Sequence, residues 1–166
     1  GSINAISITG LDGTTPLASF TQMNQDVTPL HNALFGPEAI FMAALLSGYD
    51  HVTGSTGYDT LAGYRGGDTL LGGDGRDLLL GDLGSDFLLG GGDRDRLLGG
   101  HGADTLRGHS GNDQLSGHRG ADRLEGGAGQ DRLQGGAGND RLTGGGGADR
   151  FVFRNHDGAD RITDFV

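Results

Sequence analysis

The chain contains no cysteine, and all 12 of its basic residues are arginine. Without thiols neither a disulfide framework nor a thiolate metal site can form, so a bound metal has to be a hard, oxygen-seeking one. Apolar residues are scarce, at 34% of 166, and a conventional core is poorly supplied. No apolar run approaches the roughly 18 residues of a membrane span, and no charged-then-apolar leader opens the sequence. Catalytic signatures are missing too: there is no Cys nucleophile, no His-Glu-x-x-His zinc helix and no Gly-x-Ser-x-Gly elbow. The sequence reads as non-enzymatic.

What it has is glycine and aspartate. Gly accounts for 36 residues, and 22 acidic residues set against the arginines leave a formal net charge of −10. Low hydrophobicity with high net charge describes a chain that stays disordered until a ligand neutralises it. A cation is the simplest such ligand.

The aspartates are regularly placed. They occupy positions 50, 59, 68, 77, 86, 95, 104, 113, 122, 131, 140 and 149, one every nine residues. Two residues after each stands an apolar residue: Val52, then Leu61, Leu70, Leu79, Leu88, Leu97, Leu106, Leu115, Leu124, Leu133 and Leu142, then Phe151. Two residues before each stands glycine, except at Asp93. The unit is Gly-Gly-x-Gly-x-Asp-x-Leu-x, clearest at Gly126 to Gln134 and Gly135 to Thr143.

Self-similarity at a fixed short period is the mark of a solenoid. The first six residues of the unit are too glycine-rich for helix or strand and suit a turn with positive φ. The last three alternate outward, inward, outward, as a very short strand does. A half-coil of nine residues gives 18-residue coils, so units 18 apart stack and units 9 apart face each other across a stripe of leucine. Six coils rising about 4.8 Å each make a rod of roughly 25–30 Å. The expected class is all-β.

The flanks differ from the repeats. Residues 1–2 read as an expression scar and residues 3–47 as an N-terminal capping segment. Within that segment Pro37 to Leu46, followed by Ser47-Gly48, predicts a short helix near residues 37–46, and Ile6-Ser7-Ile8 hints at a strand. The repeats proper span 48–152. Residues 153–166 form an irregular half-coil and cap, with Asp160 eleven residues after Asp149.

Aspartates stacked at coil spacing repel by roughly 1 kcal/mol per neighbouring pair even at the dielectric of water, and by more in a partly dry turn. Calcium answers this, because it takes six to eight oxygen ligands and accepts backbone carbonyls along with carboxylates. Magnesium demands a tighter octahedron, and zinc seeks His or Cys.

With the repeat and its chemistry laid out, residues 48–152 resemble the RTX (repeats-in-toxin) nonapeptide repeats of proteins exported by Gram-negative type I secretion. The resemblance implies a right-handed parallel β-roll with an ion between each turn and the turn 18 residues on. It implies Ca2+ as cofactor, about 8 to 10 ions, and the type I secretion apparatus as partner of the parent chain. The expected role is a module that folds on binding calcium after export to the extracellular medium or cell surface. Other readings are an adhesive module for polysaccharide or cell surface, and an accessory domain of a secreted hydrolase or epimerase. The family's export signal lies at the extreme C-terminus, which places it beyond Val166 and makes the chain a piece of a longer protein.

Carried onto this sequence, one turn gives the carbonyls of its first and third residues with its Asp, as Gly99, His101 and Asp104. The next turn on that side gives the carbonyls of its second and fourth residues with its Asp, as His118, Gly120 and Asp122. The ligand sets by turn are Gly54, Thr56 and Asp59; Gly63, Arg65, Gly66 and Asp68; Gly72, Gly73, Asp74, Gly75 and Asp77; Gly81, Asp82, Leu83, Gly84 and Asp86. Further on they are Gly90, Gly91, Gly92, Asp93 and Asp95; Gly99, Gly100, His101, Gly102 and Asp104; Gly108, His109, Ser110, Gly111 and Asp113; Gly117, His118, Arg119, Gly120 and Asp122. The last are Gly126, Gly127, Ala128, Gly129 and Asp131; Gly135, Gly136, Ala137, Gly138 and Asp140; Gly145, Gly147 and Asp149, with Asp160 closing over Asp140. Asp50 lacks leading glycines and is the least secure. Asp93 loses the fourth-position glycine, though Asp tolerates a left-handed backbone. Tyr64, Asp82, His109 and His118 replace the second glycine at little cost provided φ stays negative there.

Outward positions carry two more expectations. Leu71, Phe87 and Leu89 on one face, and Leu78, Leu80 and Leu98 on the other, are apolar where a solenoid is normally polar. This suggests that residues 3–46 fold back over one patch and that self-association uses the other. Arg96, Arg123, Arg132, Arg141 and Arg150 occupy outward strand positions and read as solvated charges offsetting the aspartates. No nucleic-acid partner and no membrane span are expected.

Overall fold

The computed structural model describes residues 48–155 and 157–164, together with two strands near the start, β1 (Ile6–Thr9) and β2 (Pro16–Phe20), which pair antiparallel with Ile6 opposite Phe20. The Ile6-Ser7-Ile8 alternation falls in β1. The helix expected near 37–46 and the fold-back of residues 3–46 lie outside the described residues. No helix occurs among the described residues.

From His51 onward the chain passes alternately between two parallel sheets. One holds β3 (His51–Thr53), β5 (Thr69–Gly73), β7 (Phe87–Gly91), β9 (Thr105–Ser110), β11 (Arg123–Ala128), β13 (Arg141–Gly146) and β15 (Arg161–Ile162). The other holds β4 (Thr60–Ala62), β6 (Leu78–Leu83), β8 (Arg96–His101), β10 (Gln114–Arg119), β12 (Arg132–Ala137) and β14 (Arg150–Phe151). Leu97 pairs with Leu115 and Leu115 with Leu133, a register of 18 residues per coil. At the end Leu142 pairs with Ile162, so the extra residues between β14 and β15 are absorbed without loss of register on the core side.

The inward leucines form one ladder. Val52 and the leucines from Leu61 to Leu142 are at most 2% exposed, and Phe151 and Ile162 pack against the end of the row. Phe153 stays exposed. The outward apolar residues Leu71, Phe87, Leu89, Leu78, Leu80 and Leu98 are half-buried. The Arg107 guanidinium sits 5.6 Å over the Phe87 ring and pairs with Glu125 at 3.5 Å.

Two expectations about the turn are corrected. From β5 to β13 the strands are longer than three residues and run on through the first glycine positions, as Arg132–Ala137 does. Just past β3 and β4 the first-position amides still feed the ladder, with Gly54 N–H donating to Leu71 O at 2.7 Å and Gly63 N–H to Leu80 O at 2.8 Å. First-position glycine is required for space: a Cβ on Gly72 would lie 2.5 Å from Asp77 Oδ2 and 2.5 Å from the Gly90 carbonyl oxygen. Secondly, Tyr64, Asp82, His109 and His118 have φ of 70°, 70°, 75° and 76°, positive rather than negative. From Tyr64 to Gly145 the turn holds its second position left-handed whatever side chain stands there, at about 1–2 kcal/mol for a residue with a Cβ. Asp93, with φ 67°, takes the left-handed backbone as anticipated.

Fourth-position glycines meet both demands. Gly84 has φ 143°, and a Cβ there would overlap the Gly66 carbonyl of the preceding coil. Gly146 has nothing within 4 Å of its notional Cβ. Gly84→Ala should therefore lower the urea midpoint of the folded protein by the equivalent of at least about 1–2 kcal/mol. Gly146→Ala should leave it within about 0.5 kcal/mol of the parent. Equal effects would contradict this account of the turn.

Candidate metal centre

At the strand starts the repeat aspartates turn their side chains inward. Asp59 through Asp140 are 0–3% exposed and Asp50 is 9% exposed. They form two columns, Asp50, Asp68, Asp86, Asp104, Asp122 and Asp140 on one edge, and Asp59, Asp77, Asp95, Asp113, Asp131 and Asp149 on the other. From Asp68 and Asp77 onward, each Oδ1 in a column accepts the backbone N–H of the aspartate one coil earlier. Asp68 Oδ1 takes Asp50 N–H at 2.9 Å, Asp113 Oδ1 takes Asp95 N–H at 2.8 Å, and Asp149 Oδ1 takes Asp131 N–H at 3.0 Å. Asp160 continues the first column, accepting Asp140 N–H at 3.0 Å despite its irregular spacing.

The second carboxylate oxygen is different. Oδ2 of Asp50, Asp68, Asp77, Asp86, Asp95, Asp104, Asp113, Asp122, Asp131 and Asp140 is buried with no hydrogen-bond partner. A buried polar group left unsatisfied costs about 1–3 kcal/mol, and more when charged. Ten of them rival the roughly 5–15 kcal/mol by which a domain is stable at all. Something beyond the protein has to meet these oxygens.

Carbonyls converge on the same gaps between stacked turns. The carbonyl oxygens of Asp82 and Gly84 point toward Gly100 and Gly102 of the next coil. The Gly99 carbonyl points back toward Gly81, and the His101 carbonyl points back to accept Gly84 N–H at 2.8 Å. Each gap thus faces second- and fourth-position carbonyls from the earlier turn and first- and third-position carbonyls from the later one. The direction alternates because successive carbonyls around the turn point up and down the stack by turns. A carbonyl that already accepts one hydrogen bond keeps a second lone pair.

The donor set fits calcium. Every donor is oxygen, two aspartates belong to each gap, and carbonyls complete the number that a six- to eight-coordinate ion requires. No group of three or more His, Cys, Asp or Glu that could hold a metal occurs among the described residues, as expected where most donors are backbone. The His101 and His118 side chains are exposed. Asp59 departs from the column, its Oδ2 accepting both N–H and Oγ–H of Ser55, at 2.6 and 2.9 Å. The column of amides that takes up Oδ1 was absent from the sequence-based reading; the only clue was the 18-residue stacking of the aspartates themselves.

Electrostatics point the same way. Burial, reinforced by the stacked neighbours and opposed by the amide hydrogen bond, pushes the carboxyls of Asp77, Asp86, Asp95 and Asp122 up to about 7. Burial also raises Asp68 and Asp113 to about 6. The columns resist ionisation unless a cation compensates.

A two-sheet solenoid with oxygen donors stacked in its turns defines a cation-binding β-roll. A family model for the RTX calcium-binding nonapeptide repeat, in four copies, matches residues 47–79, 80–115 and 116–151. These stretches cover more than half of the chain, and the chain belongs to that family. It is a calcium-binding repeat module of the kind carried by secreted proteins, and proteins with such repeats are typically exported by the type I route. No curated protein matches the chain. Among the described residues no helix is long and apolar enough to cross a membrane.

The raised carboxyls give a pH dependence with a definite sign. The folded chain without metal binds more protons than the unfolded chain, so their contribution is most favourable below the ordinary carboxylate value near 3.8 and is lost as pH rises through about 6–7. In chelator, β-structure measured by circular dichroism should be greater at pH 4 than at pH 8. A metal-free chain with more β-structure at pH 8 would contradict the burial of the columns.

Proposed function

We propose that this chain is a calcium-triggered folding module of an exported protein. It stays open where calcium is scarce, passes the type I apparatus in that state, and closes into the roll in an extracellular medium rich in calcium. The buried, unpartnered Oδ2 in nearly every coil carries this reading. Such a site does not exist in the open chain, so binding and folding are one event. About 8 to 10 ions fit the gaps, with affinities of about 0.1–1 mM typical of extracellular modules. Loading at that level takes the formal charge from −10 toward about +10. The module itself is non-catalytic, and its role is to complete and stabilise the folded form of its parent.

Calcium titrated into the chelated chain at neutral pH should bring β-structure up in one cooperative step, with the ion count read by calorimetry. Asp113→Ala, in the middle of a column, should raise the calcium midpoint by about tenfold. Asp50→Ala, in the first turn of its column, should shift it far less. A chain compact in excess chelator at neutral pH would sink the proposal.

A further inference from the structure

A depression of about 680 Å³ lies at the upstream ends of β6, β8 and β10. Arg76, Arg94 and Arg96 line it, with Tyr58 from the coil before and Gln114 from the coil after. Arg76 and Arg94 stand at the fifth position of the repeat, just before a column aspartate, in successive turns of one edge, so their backbones are about 4.8 Å apart. Arg96 opens β8. The fifth position has a structural use that these arginines do not take up. Ser85 Oγ accepts Ala103 N–H at 3.2 Å, Asn112 Oδ1 accepts Gln130 N–H at 2.7 Å and Asn139 Oδ1 accepts Ala159 N–H at 3.0 Å, each lacing a turn to the next coil on its edge. From Tyr49 to Ala148 only Arg76 and Arg94 are charged at that position. All three arginines are exposed, and the one ion pair among the described residues, Arg107 with Glu125, lies on the other sheet. Unpaired like charges side by side repel, and an anion between them relieves this.

The charge balance says which anion. Asp77 and Asp95 floor the depression, but both are buried, give Oδ1 to a backbone amide and turn Oδ2 to the cation gap. A calcium ion in that gap cancels their charge. Outside the columns, the carboxylate whose charge reaches both is that of Asp93. Three guanidinium charges less this one carboxylate leave a surplus of two. We infer that the depression is an anion site for a phosphate monoester. Such a group carries about −1.5 to −2 at neutral pH and three acceptor oxygens, and guanidinium forks match those oxygens in pairs. A phosphodiester or a lone carboxylate brings a single charge and leaves one arginine uncompensated. Tyr58, 49% exposed, offers its ring and hydroxyl to the group that the ester carries. Because the ion in the gap cancels Asp77 and Asp95, this inference rests on the calcium-folded reading.

The test titrates phenyl phosphate into the calcium-loaded chain by calorimetry, with a blank titration into the same calcium buffer and diphenyl phosphate, the diester, as comparator. Saturable binding of the monoester is expected, weaker by at least about tenfold for the diester. Arg76→Gln and Arg94→Gln introduce the residue type that the repeat itself carries at Gln130, so their calcium midpoints for folding should be no higher than the parent's. Monoester binding by each should fall by about tenfold or more. Arg119→Gln, at the opposite ends of the same strands, should bind as the parent does. Flotation with phosphatidylcholine vesicles distinguishes the source of the ester. Capture by vesicles holding phosphatidic acid beyond that by vesicles holding as much phosphatidylglycerol, and lost in Arg94→Gln, assigns the site to a lipid headgroup. Binding of phenyl phosphate without such capture assigns it to a soluble ester. Circular dichroism of the same samples keeps the two readings apart: a chain left unfolded in calcium sinks the folding reading and this one with it, whereas a folded chain that binds no monoester overturns this one alone. Diester binding as tight as the monoester's, undiminished binding by Arg76→Gln and Arg94→Gln, or an equal loss in Arg119→Gln would also overturn it.

Discussion

Each nine-residue half-coil depends on one buried carboxylate with two obligations. Oδ1 accepts the amide of the aspartate one coil earlier, as between Asp104 and Asp86 at 2.9 Å, and this bond ties the register of consecutive coils at the edge of the sheet. Oδ2 faces the gap between turns without a partner. The same side chain therefore locks the stack and makes it conditional on a cation. The leucine ladder cannot relieve that condition, because it supplies one buried side chain for every nine residues ordered, several of them glycines that lose the most freedom on folding.

The glycines divide by physical cause. At the first position the need is room, since Asp77 Oδ2 and the Gly90 carbonyl leave no place for a Cβ on Gly72. The second position sets a conformational need, which Tyr64, Asp82 and His118 meet under strain. At the fourth, room and conformation are both required, and only Asp93 departs from glycine. Substitutions accordingly appear at the second position several times and at the fourth once.

Much of this was legible in the residues. The spacing of aspartate and leucine gave the 18-residue coil, the two columns and the core, because a period that strict leaves a solenoid only one way to bury its apolar stripe. Asp160 was legible as the continuation of the first column although eleven residues separate it from Asp149. Other features were hidden because they belong to the backbone. Composition does not reveal that glycine-rich residues such as Gly135 and Gly136 continue a strand, or that His118 sits at φ 76°. Nor does it reveal which way a carbonyl points in the stack.

The far end of the roll shows how such a ladder stops. Interior coils hand their amides to the next coil, so the last coils lack acceptors unless the chain supplies them otherwise. Asp164 does this for the second column. Its Oδ1 accepts Gly144 N–H at 3.0 Å and its Oδ2 accepts Gly145 N–H at 2.6 Å, so both oxygens go to protein amides. Thr163 supports it by bonding Thr143 at 2.7 Å. A repeat aspartate keeps one oxygen for the gap, whereas Asp164 keeps none. That difference separates a carboxylate that propagates the cation ladder from one that ends it.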